Sequence, residues 1–163
     1  MTAENSGNSG EVLQQLSPEM AASLEGLHIF SSEELKHLLP YLKGRQVAAG
    51  ETLWQESQAG NYLALILSGH LEAKKDTEFP GKQVVVAVFG PGAVVGELSF
   101  LDQSPRAVSV VALEDVSLAV IGRDEFRQLF EDHPAAGMKL YRTILLALAS
   151  RLKKSYERLA AIF

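Results

Sequence analysis

The 163-residue sequence contains no cysteine, which excludes disulfide bonds, thiolate metal sites and a cysteine nucleophile. It also lacks long hydrophobic runs: its longest apolar stretches, such as residues 62–67 and 84–89, are far shorter than the ~20 residues of a membrane-spanning helix. The N-terminus has neither the basic start nor the apolar segment of a secretory signal. These absences predict a soluble, cytoplasmic protein with no membrane partner.

The sequence has no excess of basic residues either. It carries 15 Lys and Arg against 20 Asp and Glu, a net charge of -5, whereas proteins that bind the phosphate backbone of nucleic acids are usually basic. We therefore expect no direct nucleic-acid partner. Apolar residues make up 47% of the chain, which is ordinary for a globular protein and sufficient for one domain with a packed core.

Composition divides the chain into four regions. They are a disordered polar tail at 1–12, N-terminal helices at 13–44, a β domain at 45–122 and C-terminal helices at 123–163. In the β domain, short runs rich in Val, Leu and Ile alternate with glycine-containing turns, a pattern typical of antiparallel sandwiches and barrels. The fold predicted is mainly β with flanking helices: an eight-stranded antiparallel jelly roll, or double-stranded β-helix, with its last two strands at 107–112 and 117–121.

Local signals mark the starts and ends of the N-terminal helices. Ser17 followed by Pro18 is an N-cap with proline at the first helical position. Ser31 and Glu34 have the spacing of a capping box, in which each residue bonds the backbone of the other. Pro40 should end the helix that this box begins.

A long helix predicted at residues 136–161, after a break at 133–134, carries two apolar stripes. One repeats every seven residues and consists of Met138, Leu145, Leu152 and Leu159, with Tyr141, Leu148, Ser155 and Ile162 at intervening positions. This heptad pattern predicts a parallel homodimer, although the same leucines could instead pack on the β domain. The second stripe, which can cover the β domain, consists of Leu140, Ile144 and Ala147 and ends at Arg151.

Several kinds of chemistry find no support in the sequence. Metal sites usually draw two or more ligands from one helix, strand or loop. The sequence has four histidines, and each lies in a different predicted element: His28, His37, His70 and His133. The sequence has no Gly-x-Ser-x-Gly motif, and no serine has a recognisable activating base. We therefore expect neither a metal nor an enzyme.

The segment from Gly96 to Val110 contains the most informative charges. Arg106 begins a predicted strand of small and apolar residues, and a charge that enters a β core alone costs several kcal/mol. Arg106 can offer two parallel hydrogen bonds to a phosphate, and Glu97 can accept a hydrogen bond from a hydroxyl group such as that of a ribose. A buried pair between Arg106 and Glu97, without any ligand, explains the residues equally well.

The sequence GELSFLDQSPRAVSVVA from Gly96 onward resembles the phosphate-binding cassette (96–109) of the cyclic nucleotide-binding domain family. This family includes catabolite-activator-like regulators and kinase regulatory subunits. The resemblance extends from about Phe30 to Arg151. It implies that Glu97 binds the ribose 2'-hydroxyl, and that Arg106 with the amides of Leu98 and Ala107 binds the cyclic phosphate. The implied ligand-binding residues are Gly96, Glu97, Leu98, Ser99, Arg106, Ala107 and Val108.

The chain departs from the family pattern in two places. Glu56-Ser57 and Gly60-Asn61 differ from the usual glycine and acidic residues of the turn before the Tyr62 strand, which puts the geometry of that turn in doubt. Ala107 lacks the hydroxyl group with which related cassettes contact guanine or the phosphate. The resemblance therefore favours cAMP over cGMP as the ligand.

The implied function is a cyclic nucleotide sensor that relays binding by moving its C-terminal helix, and an effector protein is a further expected partner. Residues 153–163 would close over the ligand, with Tyr156 as a base lid. Catabolite-activator-like regulators read DNA with a further domain, whereas this sequence ends at Phe163. The alternative is an interaction or dimerisation module of the same fold that binds no nucleotide.

Overall fold

The computed structural model describes residues 13–162 and contains two antiparallel sheets. The predicted tail at 1–12 lies outside the described residues. The strands are β1 (Gln14–Gln15), β2 (Lys43–Val47), β3 (Thr52–Trp54), β4 (Tyr62–Ser68), β5 (Leu71–Asp76), β6 (Gln83–Phe89), β7 (Val94–Val95), β8 (Ser109–Ala112) and β9 (Val116–Gly122). One sheet has the order β1-β2-β9-β4-β7 and the other β3-β8-β5-β6. The predicted jelly-roll fold class is confirmed.

Strand β4 shows how the sequence builds two core layers. Its side chains point alternately to the two faces of the sheet. Leu63, Leu65 and Leu67 pack with the helices, whereas Ala64 and Ile66 pack between the sheets. Both faces of the strand are therefore buried, which explains its continuous apolar run.

The structure differs from the predicted strands at β1, at the start of β2, which begins at Lys43 within the region predicted as helical, and at the start of β8. Strand β1 is a ninth strand, formed by two exposed glutamines that pair with Gly44 and Lys43. No apolar pattern marks such a strand, so the sequence did not reveal it. The strand predicted at 107–112 begins at Ser109, because the carbonyl groups just before it bond to the turn after β3, to β5 and to β3 itself.

The N-terminal helices begin at the predicted caps. Helix α1 (Pro18–Gly26) follows Ser17, whose hydroxyl accepts a hydrogen bond from Met20 N–H at 3.2 Å. Helix α2 (Ser32–Leu38) begins with the capping box: Ser31 accepts from Glu34 N–H at 3.1 Å, and Ser31 N–H donates to the Glu34 carboxylate at 2.8 Å. A single 3-10 turn (Leu39–Tyr41) follows, as expected for a helix that meets Pro40.

The remaining helices are α3 (Glu97–Asp102), α4 (Arg123–Asp132) and α5 (Pro134–Ala160), with the predicted break between the last two. Helix α5 packs on α4 and α2, and one of its stripes, at Leu140 and Ile144, is buried in the same core cluster as the leucines of β4. The heptad stripe is exposed at Met138, Leu145, Leu152 and Leu159. None of the helices within residues 13–162 is long and apolar enough to cross a membrane.

Candidate functional site

A cavity of about 170 Å³ opens between α3, β6 and the segment before β8. All seven residues that the sequence predicted as ligand-binding line this one cavity: Gly96, Glu97, Leu98, Ser99, Arg106, Ala107 and Val108. The rest of its wall is largely apolar and includes Val86, Phe89 and Val110. The cavity therefore presents two buried charged side chains against an apolar wall, which suits a ligand with both an anionic group and a flat apolar part.

The guanidinium of Arg106 is held by aromatic rings and carbonyl groups. Its central carbon lies 3.8 Å from the centre of the Trp54 ring and 4.7 Å from that of Tyr62. Its Nη1 donates to the Gly96 carbonyl at 3.2 Å and its Nη2 to the Tyr62 carbonyl at 3.0 Å. Cation–π contacts and two fixed acceptors restrict the guanidinium to one orientation. Trp54 was not predicted from the sequence as a residue of this site.

Two glycines make room for Arg106. A Cβ at Gly96 would lie 2.6 Å from Arg106 Nη1 and 2.9 Å from the Trp54 ring, and a Cβ at Gly60 would lie 2.6 Å from Arg106 Nε. Gly96 also has a φ of +81°, a left-handed conformation that side chains other than glycine disfavour. Both positions therefore require glycine.

The turn whose geometry the sequence left in doubt contacts the cassette directly. Ser57 adopts a φ of +71°, so it takes the left-handed conformation that glycine commonly supplies there in the family. Its N–H donates to the Arg106 carbonyl at 2.8 Å, and Arg106 N–H donates to the Gln58 carbonyl at 2.8 Å. The turn thus fixes the backbone of Arg106 despite the altered residues.

The other charged residue of the cavity, Glu97, pairs with a residue that the sequence did not assign to the site. Glu97 is buried, and its carboxylate accepts a hydrogen bond from Arg151 of α5. Arg151 also donates to the Val94 carbonyl and lies 4.4 Å from the centre of the Phe89 ring. The sequence suggested Arg106 as the charged partner of Glu97, whereas the ion pair described in the structure is with Arg151. One signal in the sequence could have revealed this role: Arg151 continues the helical spacing of the buried stripe of α5, so its charge was bound to face the interior.

The loop between α3 and Arg106 is closed by its own side chains. Asp102 accepts hydrogen bonds from the Ser104 hydroxyl at 2.5 Å and from Ser104 N–H at 2.9 Å. These bonds hold the pKa of Asp102 below its usual range. Gln103 adopts a φ of +60° between them, so the loop turns sharply toward Arg106.

Arg123 connects the cassette to the C-terminal helices. At the start of α4, it donates to the Ser99 carbonyl at 3.0 Å and to the Gly60 carbonyl at 3.3 Å. Phe126 of the same helix packs its ring edge-on against Phe100 of α3, with centres 5.2 Å apart. A displacement of α3 would therefore move α4.

A second groove of about 640 Å³ lies between α5 and β6 and shares Phe89 and Arg151 with the cavity. Arg158 crosses one side of this groove and donates to the Val86 carbonyl at 2.6 Å. Tyr156, the predicted base lid, is exposed on α5 and is not among the residues that line the cavity or this groove. Its predicted role would therefore require α5 to move.

The histidines do not form a metal site in the part of the chain that is described. Residues 13–162 contain no group of three or more His, Asp or Glu side chains that could hold a metal ion. His37 and His133 stack with ring centres 4.2 Å apart, a contact between α2 and the α4–α5 junction that the sequence did not reveal. His70 instead pairs with Glu114 at the surface.

Comparisons with known proteins agree on one family. Residues 44–133 match the family model described as cyclic nucleotide-binding domain. A cyclic AMP receptor protein of Thermus thermophilus is 30% identical over 128 residues, which are 78% of this chain and 57% of that protein. A cAMP-dependent protein kinase regulatory subunit of Aspergillus fumigatus is 45% identical over 82 residues, 50% of this chain and 19% of that protein. The chain thus spans only part of both relatives.

One solved structure is similar along the whole chain. A cyclic nucleotide-binding domain from Methylobacillus flagellatus is 30% identical and superposes with a TM-score of 0.84. The match covers 100% of this chain and 97% of that one. Both the sheets and the flanking helices therefore have counterparts in that domain.

Proposed function

The chain belongs to the cyclic nucleotide-binding domain family, and we propose that it is a sensor that binds a 3',5'-cyclic purine nucleotide. The observation that carries the proposal is the convergence of Glu97 and Arg106, both buried, on one cavity. Arg106 and the amides of Leu98 and Ala107 would bind the cyclic phosphate, and Glu97 the ribose 2'-hydroxyl. Calorimetric titration of the purified chain with cAMP and cGMP tests the proposal, because a scaffold without nucleotide affinity would release no heat with either.

We propose cAMP as the preferred ligand. Ala107 lines the cavity next to Arg106 and offers no hydroxyl group to a guanine or a phosphate. The two relatives named above are a cyclic AMP receptor protein and a cAMP-dependent kinase regulatory subunit, which supports the same choice. A tighter binding of cGMP than of cAMP in the same titration would contradict it.

The proposed relay acts through Arg151. A ribose hydroxyl that donates to Glu97 competes with the Arg151 guanidinium for the same carboxylate, so ligand binding and the position of α5 are linked. Arg123 provides a second link, from the carbonyls of α3 to the start of α4. A bound nucleotide would therefore reposition α5 and order its last turns, with Tyr156 moving toward the base.

We further propose that the sensor is a receptor without turnover. In the described cavity, Glu97 and Arg106 supply a hydroxyl acceptor and an anion site. The chemistry needed for binding is present in these two side chains. Recovery of unchanged cAMP after prolonged incubation tests this part of the proposal.

A second candidate function is dimerisation through α5. The heptad residues Leu145, Leu152 and Leu159 are about half exposed, whereas Leu140 and Ile144 are buried in the same helix. An exposed apolar seam of heptad spacing suits a parallel contact with a second copy. In the alternative without nucleotide, this contact would be the whole function of the chain.

A further inference from the structure

The three residues that connect the cassette loop to β8 are held from outside the cassette. Arg106, Ala107 and Val108 lie between α3 and the first residue of β8. Their successive carbonyl groups each accept one hydrogen bond: Arg106 from Ser57 N–H at 2.8 Å, Ala107 from Lys75 Nζ at 3.1 Å, and Val108 from Trp54 Nε1 at 3.1 Å. These three donors replace the regular pairing of a strand.

Lys75 is the charged member of these donors, and it is itself anchored. Its ammonium binds the carboxylate of Glu56, which also accepts a hydrogen bond from Asp76 N–H at 2.9 Å. Glu56 N–H donates to the Ser109 hydroxyl at 2.9 Å, so the same residue is tied to the start of β8. The bond from Lys75, followed by that from Asp76 N–H, holds the pKa of Glu56 below its usual range. The carboxylate therefore stays ionised at neutral pH.

The geometry of a trans peptide makes these bonds relevant to the cavity. The carbonyl of one residue and the N–H of the next point in opposite directions from a rigid plane. A donor on the Arg106 carbonyl therefore orients the N–H of Ala107, and Lys75 on the Ala107 carbonyl orients the N–H of Val108. Ala107 and Val108 both line the cavity.

We infer that Lys75, anchored by Glu56, is a positioning residue of the cyclic-phosphate site, an inference that rests on the proposed function. Lys75 fixes the peptide between Ala107 and Val108, and Ser57 fixes the peptide between Arg106 and Ala107, so together they set the backbone on both sides of Ala107 before the ligand arrives. Because Glu56 neutralises its charge at short range, Lys75 acts through this hydrogen bond and not through long-range attraction. Preorganised donors bind an anion more tightly because less conformational entropy is lost on binding.

Lys74 provides a matched control. It lies on the same strand, where its backbone pairs with that of Ser109, and its ammonium pairs with Glu72 at 3.1 Å. Lys75→Met and Lys74→Met each remove one positive charge and keep the side-chain stem. We expect Lys75→Met to weaken cAMP binding about fivefold or more, Lys74→Met to change it less than about twofold, and Lys75→Arg to restore most of the loss.

A measurement on the ligand-free protein makes the two proposals separable. Amide exchange followed by NMR should be faster at Val108 in Lys75→Met than in Lys74→Met. If wild type binds neither cAMP nor cGMP, the proposed function fails. The positioning role of Lys75 is then decided by the exchange measurement alone, and equal exchange rates in the two variants overturn it. Equal cAMP affinity of the two variants overturns the inference even when wild type binds.

Glu56→Gln provides a second test of the inference in case Lys75→Met does not fold stably. The amide can still accept from Asp76 N–H but no longer forms an ion pair with Lys75. We expect a smaller loss of affinity than in Lys75→Met, and no further loss when the two changes are combined, because both act on one hydrogen bond. Additive losses would mean that the two residues act separately, which contradicts the inference.

Discussion

Arg151 of α5 and Glu97 of α3 form an ion pair that connects the C-terminal helix to the wall of the cavity. The side chain of Glu97 is 5% exposed and that of Arg151 is 27% exposed, so the pair lies at the entrance and not in bulk solvent. A buried carboxylate needs such a partner, since removal of one member leaves a charge with poor solvation.

Replacement of Arg151 by methionine should destabilise the ligand-free protein by about 1 to 3 kcal/mol, because Glu97 would keep its charge without its partner. The Arg151→Met, Glu97→Gln double variant should lose less than the sum of the two single changes. Urea denaturation of the four proteins measures the coupling. Strict additivity would show that the pair contributes nothing to stability.

Arg106→Leu should abolish the anion site. Loss of a hydrogen bond to a charged group costs about 1.5 to 3 kcal/mol, so cAMP binding should weaken roughly tenfold to a hundredfold. Arg127→Leu is the control, because Arg127 is an exposed arginine of α4 that pairs only with nearby Asp124 at 3.6 Å among the ion pairs described. Calorimetry gives the affinity, and circular dichroism checks the fold. Wild-type affinity in folded Arg106→Leu would refute the role of Arg106.

The role of Glu97 should appear in discrimination between sugars. Wild type should bind 2'-deoxy-cAMP more weakly than cAMP, because the carboxylate then lacks its hydroxyl donor. Glu97→Gln should reduce that difference while keeping the shape of the side chain. The measurement is a competition titration with both nucleotides. Equal wild-type affinities would leave Glu97 with only its structural role as the partner of Arg151.

Dimerisation should depend on the heptad residues of α5. Leu152→Asp places a charge in the exposed seam and should convert a dimer to a monomer in sedimentation velocity. Leu146→Asp makes the same chemical change at a residue that is also exposed but lies outside the seam. It should leave the dimer intact. A monomeric wild type, or a dimer that persists in Leu152→Asp, would contradict the predicted interface.

Nucleotide binding should protect the last turns of α5. Residues 153–162 carry mostly exposed side chains in the structure, so their amides should exchange readily without ligand. Addition of saturating cAMP should slow exchange in this segment more than in α1. Helix α1 is distant from the segment in sequence and serves as the internal control. Hydrogen exchange with mass spectrometry measures both. Unchanged protection of residues 153–162 would rule out the lid.

Local signals in the sequence were sufficient for much of the fold. The caps at Ser17 and Ser31 and the break at 133–134 depend on neighbouring residues, and each helix begins or ends where its signal lies. Arg151 and Trp54 were not predicted as site residues because their contacts span 54 and 52 positions of the chain. Such contacts exist only once the sheets have formed, and strand β1 depends in the same way on its neighbour β2.

The contact between Arg158 and the Val86 carbonyl also bears on solubility. Strand β6 is an edge strand with exposed Val84, Val85 and Val88, and an unpaired edge of this composition can template pairing with the edge of another chain. The guanidinium of Arg158 donates a hydrogen bond to one carbonyl group of this edge strand, so α5 hinders pairing with a strand of another chain. A truncation that removes the end of α5 would therefore leave this protein prone to aggregate through β6, irrespective of any effect on its cavity.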